Sequence, residues 1–237
     1  MITQEHPTFS LTEPVSPQEG YFFETKDLPP QLREASNSVG RVMGEEGLFG
    51  GCCLSIYKDR QYLLSARHCF LNRDGKFDRR RIIFPEGRSL VFDPKKLPCL
   101  DSDEEDLFVL PVTGINLRVK SLNISDDLAK VDRVIAFGYP DKYLAARNSK
   151  SPVASIGQIN YLGSSSILVS ARVEPGNSGG PVLDSVGNVI AITSEWRPRL
   201  GFSEMAIKYL ECSEAYSLST VCLAIKIASA IEIMASN

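Results

Sequence analysis

From Ser38 onward the chain is cut into short apolar or alternating runs, with Gly, Pro, Asp and Asn between them. The runs are "SVGRVMG", "GCCLSIY", "QYLLSA", "RRIIFP", "SLVFD", "LFVLPV" and "RVKSL", then "RVIAFGYP", "ASIGQINYL", "SSILVSA", "GPVLDS", "NVIAIT" and "CLAIKI". Runs this short, bounded by turn formers, have the spacing of many short antiparallel strands. The pattern is interrupted near residues 119–131, so it predicts two all-β lobes joined there. Two segments read as helix. "SEMAIKYLECSEAYS" opens with Ser203 as an N-cap and places apolar residues at helical intervals. "IASAIEIMAS", within about 227–236, puts Ile227, Ile231 and Met234 on one face. Residues 1–35 hold Pro7, Pro14, Pro17, Pro29 and Pro30 with little periodicity, and read as an extended arm.

Composition narrows the function. Hydrophobic residues make up 43% and charged residues 23% of 237, the balance of a soluble globular chain. A net charge of -3 argues against a broad nucleic-acid surface, which needs clustered Lys and Arg. Arg79-Arg80-Arg81 is basic but faces the acidic run Asp101–Asp106, and both read as solvated turns. No apolar stretch is long enough to span a bilayer. The first residues lack a basic then apolar leader, so the expected location is a reducing cytosol, or outside the cell by a route needing no such signal.

One turn raises a chemical question. "VEPGNSGGPV" sets Ser178 between Asn177 and Gly179-Gly180. The segment is either a plain hairpin or a backbone shaped to present one hydroxyl. A serine is a poor nucleophile unless a base takes its proton, and histidine is the usual base. The chain has two histidines, and His6 lies in the arm, which leaves His68 in "LLSARHCF". A histidine base needs a carboxylate on its other ring nitrogen. In "DSDEEDLFVL", Asp106 is set directly against an apolar strand, with Asp103 or another acid of the run as the alternative.

These segments carry a resemblance. "SARHC", "DLFVL" and "GNSGGPV", in the order His, Asp, Ser, resemble the three signature segments of chymotrypsin-like serine peptidases. "VDRVIAFGYP", "SIGQINYL" and "DSVGNVIAIT" are similar to the bacterial HtrA and glutamyl-endopeptidase branch. The likeness runs from about Ser38 to the end, without the arm and without the segment around 199–220, and no PDZ-like domain follows. It implies an all-β fold of two six-stranded antiparallel β-barrels with the active site in the cleft between them. The first barrel would span about 36–120, the second about 131–228, and a C-terminal helix would follow. His68 and Asp106 would come from the first barrel and Ser178 from the second. The backbone N–H groups of Gly176 and Ser178 would form an oxyanion hole, in which one donor is worth about 3 kcal/mol.

The resemblance also implies a serine endopeptidase working through an acyl-enzyme, with a protein or peptide substrate and no metal or organic cofactor. The substrate strand would lie against Ser194, Glu195 and Trp196. The base of the P1 pocket would be Arg172, six residues before Ser178. A free guanidinium there favours a P1 Asp or Glu. Paired with Glu174 or Glu195, it leaves a pocket for small or apolar P1 residues. Asn177 stands where trypsin-type relatives carry the aspartate that pairs with a newly cut N-terminus, which implies activity without cleavage. Two rival functions share the motifs: an inactive peptide-binding scaffold, and an esterase. Formal "GxSxG" spacing is present at 176–180, but α/β-hydrolases need the order Ser, Asp, His.

The six cysteines, at 52, 53, 69, 99, 212 and 222, have irregular spacing. Cys53 and Cys69 flank His68 much as a disulfide does in secreted relatives. A zinc site from Cys52, Cys53 and Cys69 is a sharper idea, weakened by the poor ligand geometry of adjacent cysteines. Buried small hydrophobes is the plain reading for most of the six.

Overall fold

The computed structural model describes residues 22–57, 59–97, 99–102, 106–112, 119–125, 131, 133–141, 144, 150–162, 166–194 and the backbone of 213–217. The first lobe contains β2 (Val39–Gly44), β3 (Gly47–Tyr57), β4 (Arg60–Ala66), β5 (Arg80–Ile83), β6 (Ser89–Phe92), β7 (Leu100–Ser102), β8 (Leu107–Pro111) and β9 (Leu122–Asn123). The second contains β10 (Val134–Gly138), β11 (Val153–Gly157), β12 (Ile159–Leu162), β13 (Ser166–Val169), β14 (Pro181–Leu183), β15 (Val189–Thr193) and β16 (Ser213–Ser217), and it takes in β1 (Phe23–Glu24) from the arm. The first sheet runs β6-β5-β2-β3-β4-β8-β7 with β9 parallel on β3, and the second runs β1-β11-β10-β14-β15-β16-β13-β12. Among the described residues each sheet has eight strands rather than six, because β7 and β9 join one lobe and β1 and β16 the other.

Strand period explains why the central runs are apolar throughout rather than alternating. Successive side chains point to opposite faces, and here both faces are buried. In β4, Leu63 and Ala66 pack into the core of the first lobe, while Tyr62 and Leu64 enter the cluster between the lobes. In β8, Phe108 and Leu110 point inward, and Leu107 and Val109 face the seam. In β10, Val134 and Ala136 fill the second lobe's own core, while Ile135 and Phe137 face the seam. The seam is therefore as apolar as either core. Tyr139 crosses it, its hydroxyl donating to the Val39 carbonyl at 2.8 Å.

The interlobe crossover follows the same logic. Ile124 bridges Val189, and Ser125 N–H donates to the Val189 carbonyl at 3.0 Å, so the chain leaves β9 along the edge of β15.

Three expectations change. Residues 22–36 are not a plain extended arm: β1 pairs with β11, and α1 (Pro30–Ser36) begins with proline at a first-turn position, where a missing N–H costs nothing. Leu28, Leu32 and Ala35 then bury against the seam. The predicted helix over 203–217 is strand at its C-terminal end, because β16 is pinned between β13 and β15 and pairing on both sides overrides local propensity. Residues 203–212, the predicted C-terminal helix at about 227–236 and the predicted strand "CLAIKI" lie outside the described residues. Finally, the described parts of the two charged runs are not simple solvated turns, and residues 103–105 lie outside the described residues. Asp101 and Ser102 lie in β7, paired with β8, and Arg80 is 3% exposed. Among the described residues no helix is long and apolar enough to cross a membrane.

Candidate active site

β4 ends at Ala66, and its chain turns at once into a short 3₁₀ helix, Arg67–Phe70, which carries His68. Across the sheet Ala66 pairs with Leu107, so the residue just before β8 faces this turn. That residue is Asp106. Its φ of 47° lies in the left-handed region, which Asp tolerates better than most residues. Three hydrogen bonds join it to the turn. Arg67 N–H donates to the Asp106 carbonyl at 2.8 Å, and His68 N–H to Oδ1 at 2.9 Å. Asp106 Oδ2 lies 2.7 Å from His68 Nδ1. This contact assigns the proton to Nδ1 and leaves Nε2 as the accepting nitrogen.

Burial disfavours the imidazolium. The hydrogen bond to Asp106, the adjacent Cys69 sulfur and the Asp106 charge outweigh it, so the ring's pKa lies well above its usual 6.5. For Asp106, burial works against the carboxylate, but bonds and charge from His68, with a further bond from Ser194, hold its pKa below the usual value.

The second lobe supplies that further contact. Ser194 Oγ donates to Asp106 Oδ2 at 3.0 Å, bridging 88 residues of sequence. Sequence reasoning assigned Ser194 a backbone contact with substrate and missed its side chain. No local motif signals a partner so distant.

Ser178 sits on a loop locked into both lobes. Gly179 N–H donates to the Thr193 carbonyl at 2.7 Å and Thr193 N–H to the Gly180 carbonyl at 2.9 Å. Gly51 N–H of β3 donates to the Ser178 carbonyl at 2.7 Å. Cys69, next to His68, brings its Sγ to 3.5 Å from that same carbonyl. Glycine is required at two positions here. Gly176 has φ +101°, and a Cβ on it would lie 2.1 Å from the Tyr139 carbonyl oxygen. Gly179 has φ +82°, and a Cβ there would lie 2.2 Å from the Gly51 carbonyl oxygen. The N–H groups of Asn177, Gly179 and Gly180 all have acceptors, whereas among the described residues those of Gly176 and Ser178 donate to none. In this conformation no hydrogen bond joins Ser178 Oγ to His68 among the described residues.

The description "trypsin-like peptidase domain" matches residues 51–192, more than half of the chain. The chain belongs to the trypsin-like peptidase family. The uncharacterized protein y4bJ of Sinorhizobium fredii is 38% identical over 182 residues, covering 76% of this chain. This trypsin-like peptidase chain spans only 28% of that protein's length. Among solved structures it is similar to a serine endoprotease from Yersinia pestis, with 19% identity and a TM-score of 0.59 over 84% of this chain and 64% of that one. It is likewise similar to the HtrA-type protease AlgW with tripeptide, with 24% identity and a TM-score of 0.56 over 85% and 62%. At these identities the likeness is one of fold: the double-barrel arrangement of HtrA-type serine proteases.

The other predicted site residues of this trypsin-like peptidase are placed unevenly. Arg172 is exposed; its Nε donates to Glu174 Oε1 at 3.0 Å, Nη2 contacts the same oxygen, and the guanidinium lies 5.2 Å from the Phe22 ring centroid. Glu195, Trp196 and the alternative acid Asp103 lie outside the described residues. Cys52, Cys53 and Cys69 are free thiols. Cys53 points into the seam while Cys69 points into the first lobe, so they are not neighbours across His68. The position facing Cys69 is Gly50, where a Cβ would lie 2.5 Å from its Sγ. Burial pushes the Cys53 thiol up to about 12. Among the described residues no His, Cys, Asp and Glu cluster could hold a metal ion.

Proposed function

We propose that the chain is a serine endopeptidase in which His68, Asp106 and Ser178 act as one unit. The observation that carries this reading is the His68–Asp106 pair, with a 2.7 Å bond, in the turn whose Cys69 abuts the Ser178 loop. His68 Nε2 takes the proton of Ser178 Oγ as that oxygen attacks a peptide carbonyl. Asp106 holds the tautomer and stabilises the imidazolium that forms. The N–H groups of Gly176 and Ser178, without acceptors among the described residues, face the developing oxyanion. The imidazolium then protonates the leaving amine, and water, activated by the same nitrogen, hydrolyses the acyl-enzyme. The missing Ser178–His68 hydrogen bond is compatible with this scheme, since such contacts often close only when substrate arrives.

A peptide substrate is supported by the fold and by similar HtrA-type proteases described with a tripeptide and a decapeptide. The pairing of Arg172 with Glu174 supports a small or apolar P1 residue over an acidic one, because a guanidinium already held by a carboxylate offers little to a second.

Wild-type protein is expected to react covalently at Ser178 with a fluorophosphonate and to hydrolyse peptides, and Ser178→Ala to do neither while folding normally. A folded wild type inert to the probe overturns the reading in favour of a peptide-binding scaffold. Among matched peptides, P1 Val is expected to be cut faster than P1 Glu or Lys, with Arg172→Ala leaving that order unchanged. A P1 Glu preference that collapses in Arg172→Ala establishes a charged pocket instead.

A further inference from the structure

The guanidinium of Arg80 lies buried beneath the turn that carries His68, and the chemistry above does not use it. Its side chain is 3% exposed. Nε donates to the Cys69 carbonyl at 3.1 Å and Nη2 to the Leu71 carbonyl at 2.6 Å. Nη1 donates to Asp78 Oδ2 at 2.7 Å and to the Arg79 carbonyl at 3.2 Å. The guanidinium also lies 4.0 Å from the ring centroid of Phe49. Gly44 makes room for this stack: a Cβ there would stand 2.5 Å from Phe49 and 3.2 Å from Arg80 Nη1.

A four-residue 3₁₀ helix cannot hold itself in place. It leaves its C-terminal carbonyls without intrahelical partners, and its own hydrogen-bond geometry is poor. External groups must fix its position. Asp106 binds the N-terminal side through Arg67 N–H and His68 N–H. Arg80 binds the other side through the carbonyls of Cys69 and Leu71. Its planar fork reaches two carbonyls and a carboxylate at once, which a lysine ammonium cannot reproduce. The stack also ties this anchor to β3, the strand that holds the Ser178 loop. Phe49 directly precedes Gly50-Gly51, and Gly51 N–H grips the Ser178 carbonyl. Arg80 therefore holds the backbone that bears the base directly, and meets the strand that seats the nucleophile through the Phe49 ring.

We infer that Arg80 is a positioning residue that holds the His68 turn in register with Asp106 and Ser178, an inference that rests on His68 being the base. Arg80→Lys, Arg80→Met and Phe49→Leu, in the full chain, test it with two readouts. The first is kcat against KM on a peptide, per folded molecule. The second is the far-downfield proton NMR signal of the His68 Nδ1–H bond to Asp106, identified by its absence in His68→Gln. Arg80→Met is expected to lower kcat by up to about 100-fold and Arg80→Lys by about tenfold, with KM nearly constant and the downfield signal shifted or broadened. Phe49→Leu is expected to do the same more weakly, and it decides the matter with Arg80→Lys if Arg80→Met does not fold. The inference is overturned if these variants melt earlier but keep wild-type kcat and the wild-type signal. If wild type neither cleaves peptides nor takes up a fluorophosphonate, the peptidase reading fails. The downfield signal then still decides whether Arg80 sets the turn.

Discussion

His68 is pulled two ways, and the outcome governs how both activity and stability respond to pH. Its folded pKa is raised above the ordinary 6.5 by Asp106 and Cys69, against the effect of burial. The charged pair therefore stabilises the fold in full below about pH 6.5, and that contribution is lost as pH rises through the folded pKa. In the proposed mechanism catalysis runs the opposite way, because only the neutral ring can accept the Ser178 proton. The rising limb of kcat/KM is expected to lie above pH 6.5, and a limb at or below that value contradicts the assignment. Asp106→Asn removes the cause of the shift and the control of the tautomer. It is expected to move the limb down and to cut turnover by about four orders of magnitude, read from pH-dependent steady-state kinetics.

Among the elements, α1 shows how a segment with little sequence periodicity becomes structural. Its Pro30 start presets the first turn, and Leu32 is fully buried in the seam cluster that β4, β8 and β10 also line. Leu32→Ala is expected to cost about 2–5 kcal/mol in urea unfolding, the usual penalty for emptying a close-packed leucine site. Val186→Ala, at a position 68% exposed, is expected to stay within about 0.5 kcal/mol. Equal effects at the two sites would show that α1 does not pack on the seam in solution.

For the molecule as a whole, the central question is whether the active arrangement needs a chain cut. Asn177 is 1% exposed and carries no charge, and its Oδ1 accepts the Glu174 N–H at 3.4 Å. A newly formed α-amino group would find no carboxylate to pair with at that position. The uncut 237-residue chain, verified by intact mass, is therefore expected to react with a serine-directed probe. Reaction confined to a trimmed form would make the arm an inhibitory segment.

Short-range chemistry was legible in the amino-acid order. Apolar runs at strand length, the turn formers between them and the glycines around Ser178 state local backbone preferences that hold in any context, and β2 to β6 and β10 to β15 follow them. The His68 and Ser178 segments could be singled out as candidates because a serine nucleophile would need a base and only two histidines are present. What stayed hidden depends on contacts between distant residues. β16 has a helical spacing that only β13 and β15 override, α1 has a seam to cover only once both lobes exist, and Ser194 reaches Asp106 across 88 positions. Arg80 reads as one solvated cation in a basic run until the chain returns it beneath the His68 turn. A buried charge is tolerated only where partners meet it, and tertiary structure alone decides where that is.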